Sequence, residues 1–228
     1  LVVPALGLVS RIRFVDSEKL PKEGAYILAP NHFSEIDPLV IGAAVWKLGR
    51  LPRFLAKRSL FAIPVIGWLF AKTGQIPVDR SSRSLVPIES AERVIANGQL
   101  VIIYPEGTLT REPNLWPMRG RPGAARIALE HGIPVIPVAH WGTQQVLDRY
   151  GKRVHFFPRK TITVKFGDPV DLSEFEGKPF DTAMLNEATE VIMQAVTRQL
   201  EDLRGETAPA ELWNPAQHDQ TETGRFES

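Results

Sequence analysis

The chain has 228 residues, 43% of them hydrophobic, a formal net charge of +1 and no cysteine. That length and apolar content suit one globular unit, while the missing cysteines exclude structural disulfides, a thiolate nucleophile and sulfur-ligated zinc. Charge is uneven. Residues 205–228 hold five acids and one base, which leaves a modest basic excess elsewhere, suited to anionic lipid or phosphate and too small to argue for nucleic acid.

The first element in chain order is the apolar run Leu1 to Val9, followed by Arg11 and Arg13. Its length fits an interfacial or buried segment better than a span, which needs about 18 apolar residues. No run in the chain is that long, so the chain as given is expected not to cross a bilayer. Because it opens on Leu1, a preceding membrane-anchoring helix is also an expectation.

Short β-branched runs bounded by turn residues then predict strands at 12–15, 25–29, 54–56, 76–78, 100–104, 135–138 and 161–166. Between them, apolar residues at three- and four-residue spacing predict helices over 38–48, 85–96, 123–130 and 181–203. Strands alternating with helices imply an α/β class, a sheet layered with helices. The acyl-length apolar stretch Ser59 to Ala71, bracketed by Lys57, Arg58 and Lys72, reads as core or as a membrane-facing groove. The segment after Arg204, with two prolines and excess acid, is expected to be extended or disordered.

Three constellations could carry chemistry. Asn31-His32-Phe33-Ser34-Glu35-Ile36-Asp37 follows a predicted strand. There a histidine could move a proton near neutral pH while a carboxylate on its other ring nitrogen fixes the tautomer; equally, Asp37 before Pro38 looks like a helix N-cap. Tyr104-Pro105-Glu106-Gly107-Thr108-Leu109-Thr110-Arg111 follows another strand, with a glycine that lets backbone approach a ligand and donors suited to phosphate oxygens. The third runs from Lys57 to Asp79-Arg80, where the arginine fork suits phosphate. The chain has no G-x-S-x-G nucleophile elbow, and His32-x-x-Glu35 lacks the second histidine of a zinc protease motif. No metal is expected.

In their order these blocks resemble the PlsC-type 1-acylglycerol-3-phosphate acyltransferase family. Its N-H-x-x-x-x-D block is similar to Asn31, His32 and Asp37; its second block to Lys57 through Pro64, Gly67, Gly74 and Asp79-Arg80; its F-P-E-G-T-R-S block to Tyr104 through Thr110; and its proline-rich block to Ile133 through Val138. The resemblance covers about residues 22–143. It implies a single α/β acyltransferase domain over 1–204, with a mixed sheet layered with helices and interfacial segments near the site; composition sets 205–228 apart as a flexible acidic tail. It also implies that His32, oriented by Asp37, deprotonates a glycerol hydroxyl that attacks a thioester without an acyl-enzyme.

The expected donor is acyl-CoA or acyl carrier protein, with no other cofactor, and the expected acceptor is lysophosphatidic acid, giving phosphatidic acid. Glu106, Gly107 and Thr108 would belong to the acceptor site, with Arg80, Arg111 and Arg121 holding its phosphate, and Leu60, Phe61, Trp68 and Phe70 would line an acyl or membrane groove. The expected location is peripheral, on the cytoplasmic face of the cell membrane, with no partner protein. One departure stands out: Leu109 occupies the place of the family's arginine, and Arg111 is the nearest replacement charge. The head group therefore stays open to another lysophospholipid or a glycolipid. A lipid hydrolase using the same dyad and a non-catalytic lipid-binding module are the rival classes.

Overall fold

The structure is a computed structural model that describes residues 2–78 and 94–221. Its centre is a five-stranded mixed sheet in the order β1-β7-β6-β2-β5. The strands are β1 (Ser10–Val15), β2 (Tyr26–Pro30), β5 (Leu100–Ile102), β6 (Val135–Trp141) and β7 (Lys160–Phe166). β2 runs parallel to both β5 and β6, β1 runs parallel to β7, and the two groups meet at the antiparallel pair β6–β7. A separate parallel pair joins β3 (Leu55–Lys57) to β4 (Ile76–Val78).

The helices are α1 (Val2–Val9), α2 (Asp37–Lys47), α3 (Pro64–Thr73), α4 (Gly123–His131) and α5 (Thr182–Arg204). α1 and α2 cover one face of the sheet and α4 and α5 the other, which is why β2 reads as an unbroken apolar run rather than an alternating one. Its side chains nevertheless part by the two-residue period of a strand. Tyr26 and Leu28 join a cluster with Val40, Ile41 and Val45 of α2, whereas Ile27 and Ala29 face Ile127 of α4 and Ile192 and Val196 of α5. The longest helix, α5, has a local cause at each end. Asp181 caps α5 by accepting from Met184 N at 2.8 Å, and Gly205 closes it in the left-handed region.

The predicted strands and the helices at 38–48, 123–130 and 181–203 appear within a few residues of their expected bounds. The helix expected over 85–96 falls largely outside the described residues. The tail differs from expectation. Residues 205–221 were expected extended or disordered, yet Trp213 pairs with Met118 in a parallel bridge and stacks on His218 at 3.5 Å, and Pro215 is buried. An aromatic ring and a proline supply enough apolar area to hold an otherwise polar segment down. In the run 59–71, Leu60, Phe61 and Phe70 are half-buried rather than core and Val65 and Trp68 are exposed, with Phe61 and Phe70 in edge contact at 5.3 Å. Among the described residues no helix is long and apolar enough to cross a membrane.

The turn after β6 is the tightest point of the sheet. Gly142 has φ 112°, and a Cβ there would lie 2.4 Å from the Thr161 carbonyl oxygen of β7. Gly142→Ala should therefore destabilise the protein by about 1–3 kcal/mol, read as a lower urea midpoint with an unchanged slope.

Candidate active site

In open sheets of this kind ligands gather beyond the carboxyl ends of parallel strands. The candidate residues lie there: Asn31 and His32 follow β2, Tyr104 to Arg111 follow β5, and His140 is near the end of β6.

Asn31 continues the β2–β6 ladder with its side chain. Its Oδ1 accepts from His140 N at 2.9 Å and its Nδ2 donates to His140 O at 3.2 Å. An amide side chain carries one acceptor and one donor group, and so can imitate a strand residue. The chain is then free to turn sharply at His32.

That turn wraps around one carboxylate. Asp37 is fully buried, and its Oδ2 accepts from Phe33 N at 2.7 Å, Ser34 N at 2.8 Å and the His32 Nδ1–H at 3.0 Å. The expected N-cap does not form: Ile36 occupies the cap position of α2 with no side-chain bond, and Asp37 points back into the loop instead. Burial by itself would raise the Asp37 carboxyl, but His140, His32 and the hydrogen bonds around it hold it below its ordinary value. An ionised Asp37 requires His32 Nδ1 to carry the hydrogen, which leaves Nε2 as the basic nitrogen. The His32 ring is 15% exposed and lies 4.2 Å from the ring of Tyr104.

The block after β5 holds His32 from behind. Glu106 Oε1 accepts from His32 N at 2.9 Å, and Thr110 N donates to His32 O at 2.7 Å, so both backbone groups of His32 are pinned. The other Glu106 oxygen accepts from Met118 N at 3.2 Å. Burial pushes the Glu106 carboxyl up to about 8, against the pull of those backbone bonds and of Thr110. Thr108 and Thr110 are buried, and Thr110 Oγ1 donates to Trp116 O. Gly107 sits at φ 72° directly under the Arg121 side chain, where a Cβ would come within 2.8 Å of Arg121 Cδ.

The predicted arginines part company. Arg121 is exposed beside Gly107. Arg111 is 3% exposed and its Nη2 lies 3.3 Å from Thr221 Oγ1, so it is built into the protein under the C-terminal segment. Arg80 lies outside the described residues. Leu109, in the place of the family's arginine, is buried. Of the groove residues, Leu60, Phe61, Trp68 and Phe70 all belong to the 3-10 turn and helix between β3 and β4, and none of them is buried.

Two residues escaped sequence reasoning. His140 is fully buried with Nε2 2.9 Å from Asn31 O and 3.6 Å from Asp37 Oδ2. Burial lowers it, so a neutral ring donates to the Asn31 carbonyl. Arg149 donates to the carbonyls of Thr110 and Glu112 at 2.9 and 2.6 Å and fixes the block after β5. A histidine inside the apolar run Val135–Trp141 was the available signal for the first. The second sits in a polar loop with none.

A buried carboxylate that orients one histidine, on a mixed α/β sheet and beside a glycine-bearing turn, is an arrangement chemically able to move a proton. The acyltransferase family model matches residues 11–141, and the chain belongs to that family. It is similar to the 1-acyl-sn-glycerol-3-phosphate acyltransferase of Bacillus subtilis, with 27% identity over 200 residues, 86% of this chain and 92% of that protein. It is also 32% identical over 133 residues to the chloroplastic 1-acyl-sn-glycerol-3-phosphate acyltransferase BAT2 of Brassica napus, which covers 57% of this chain and 37% of that protein. The crystal structure of the 1-acyl-sn-glycerophosphate acyltransferase PlsC from Thermotoga maritima shares the fold at a TM-score of 0.67 and 23% identity, covering 91% of this chain and 78% of that one.

The Glu106 geometry has a pH signature. A carboxyl raised in the folded state contributes stability that is present below its unfolded value, about 4.3, and lost as pH rises through the folded value of about 8. Wild-type stability, measured by urea unfolding, should therefore decline between pH 5 and 9, and Glu106→Gln should be less stable at pH 5 but show a flatter profile.

Proposed function

We propose that the protein transfers a fatty acyl group from a thioester, acyl-CoA or acyl carrier protein, to the sn-2 hydroxyl of 1-acylglycerol-3-phosphate, giving phosphatidic acid. The observation that carries the reading is the His32 Nδ1–Asp37 Oδ2 contact at 3.0 Å, which leaves Nε2 as a base. The relatives' names supply the substrate class.

His32 Nε2 takes the proton of the acceptor hydroxyl as its oxygen attacks the thioester carbonyl. The tetrahedral intermediate collapses with cleavage of the C–S bond, and the imidazolium returns the proton to the departing thiolate. Asp37 stabilises that imidazolium, and the Glu106 and Thr110 bonds keep the ring from drifting. No protein nucleophile is needed. Arg121, together with Arg80, would hold the acceptor phosphate, because a guanidinium offers it a planar fork. The exposed apolar side chains Val65 and Trp68 of α3 suit a peripheral position at a membrane surface, where a lysophospholipid is available.

Positioned general-base catalysis contributes about 10²–10⁴-fold, so His32→Ala should lose at least two orders of magnitude in thiol release while melting normally. Near-wild-type turnover in the folded variant would sink the mechanism. Asp37→Asn should also be impaired, and because it frees the His32 loop its melting temperature should fall as well.

The phosphate contact has a selective test. Arg121→Ala should lower kcat/KM for lysophosphatidate by roughly 10- to 100-fold, the equivalent of one charge-assisted hydrogen bond, while monoacylglycerol use changes little. An equal loss on both acceptors would assign Arg121 to the fold or the donor.

A further inference from the structure

The register of the sheet decides what surrounds the site. Pro30 of β2 pairs with Val138 of β6, so His32, just past the end of β2, lies beside the last residues of β6 at its carboxyl end. β7 is antiparallel to β6 and begins at that same end, with Trp141 opposite Thr163 and Lys160 farther out. The segment leading into β7 therefore projects on the side of His32. β1 begins there too, with Ser10 paired to Lys160, and brings the last turn of α1 with Leu8, 73% exposed.

The leading segment, 152–160, carries an exposed aromatic pair at its tip. Phe156 and Phe157 are 56% and 85% exposed, and Lys152, Arg153 and Arg159 around them are exposed as well. The nearby acid, Asp148, is outnumbered and lies 3.6 Å from His155 Nε2. The base of the segment is fixed: Leu147 bridges Val154, His155 N donates to Val146 O at 2.8 Å, and Arg159 Nη2 donates to Ser10 O at 3.1 Å. It is also tied to the His32 turn, since Ser34 Oγ donates to Leu147 O at 2.7 Å.

We propose that segment 152–160 is a lipid-docking element that sets Phe156 and Phe157 into the interfacial layer of an anionic bilayer and so holds the His32 end of the sheet against the membrane. The occupant follows from charge and shape. Phenylalanine side chains bury shallowly at the boundary between headgroups and acyl chains, and flanking bases are drawn to anionic lipid. Leu8 and the amino-terminal end of α3, with exposed Ile63 and Val65, lie at this same end of the strands, a spread that suits a plane better than a single groove-bound chain. The inference rests on the reading of a lipid acceptor and adds a surface separate from α3.

The test uses the full chain and vesicles of phosphatidylcholine alone or mixed with phosphatidylglycerol. Phe156→Ser/Phe157→Ser should lower vesicle affinity by roughly tenfold or more. Lys152→Gln/Arg153→Gln should lower it by a similar factor on anionic vesicles only, with the difference vanishing at high salt. Because the chain has no cysteine, Phe157→Cys accepts a polarity-sensitive fluorophore, whose emission should shift to the blue on anionic vesicles. Turnover of short-chain, water-soluble substrates should be unchanged in the double variants. Should the wild type bind vesicles through these residues yet turn over no such substrate, the docking element stands and the acyl-transfer reading fails. Unchanged vesicle binding by the Phe variant with no fluorophore shift overturns the proposal. So does a pair needed only for self-association in the absence of lipid, or only for binding an acidic acyl carrier protein.

Discussion

A carboxylate removed completely from water must be met by donors or give up its charge. Asp37 is met by three on a single oxygen, two of them backbone amides of the loop that precedes it. The loop has little choice of path once those bonds are made. The His32 ring direction, the free Nε2 and the entry angle of α2 all follow from them. The Asn31 amide locks the start of the turn to β6 and the Glu106–Thr110 pair locks its back to the block after β5. Three strands, β2, β5 and β6, thereby converge on one histidine.

This arrangement divides the labour within the blocks. Glu106 is buried with both oxygens on backbone amides, which makes it a positioning group for His32, while Gly107 lies under the exposed Arg121 side chain. Arg149, far along the chain, closes the same block by taking two of its carbonyls. Residues adjacent in sequence thus serve different ends, since the chain turns at Gly107, whose N donates to Tyr104 O at 3.0 Å and whose φ is 72°.

Much of the fold could be read from periodicity. Ile12 to Val15, Ile76 to Val78 and Thr161 to Phe166 are strands within two residues of the expected limits, because β-branched runs between turn residues have few other uses. The His32–Asp37 pairing was legible from its spacing. What Asp37 does to the helix was not, because the same residue before proline serves equally well as a cap, and only the direction of the side chain decides. Arg111 was expected at the mouth from its distance to Leu109. Its Nη2 instead meets Thr221 Oγ1, 110 residues farther along the chain, and the net polarity of that tail hides Trp213 and Pro215 as anchors. His140 is the same kind of case: an apolar strand tolerates one histidine when a distant carbonyl accepts its proton, and that carbonyl belongs to Asn31.

The buried Leu109 limits how the site can be altered. It is 6% exposed, so Leu109→Arg would drive a guanidinium into the interior, at a cost of several kcal/mol for an unpaired charge. A charge at that position would require its neighbours to repack at the same time, and a surface position, where a side chain already reaches water, is the easier route to a new polar contact.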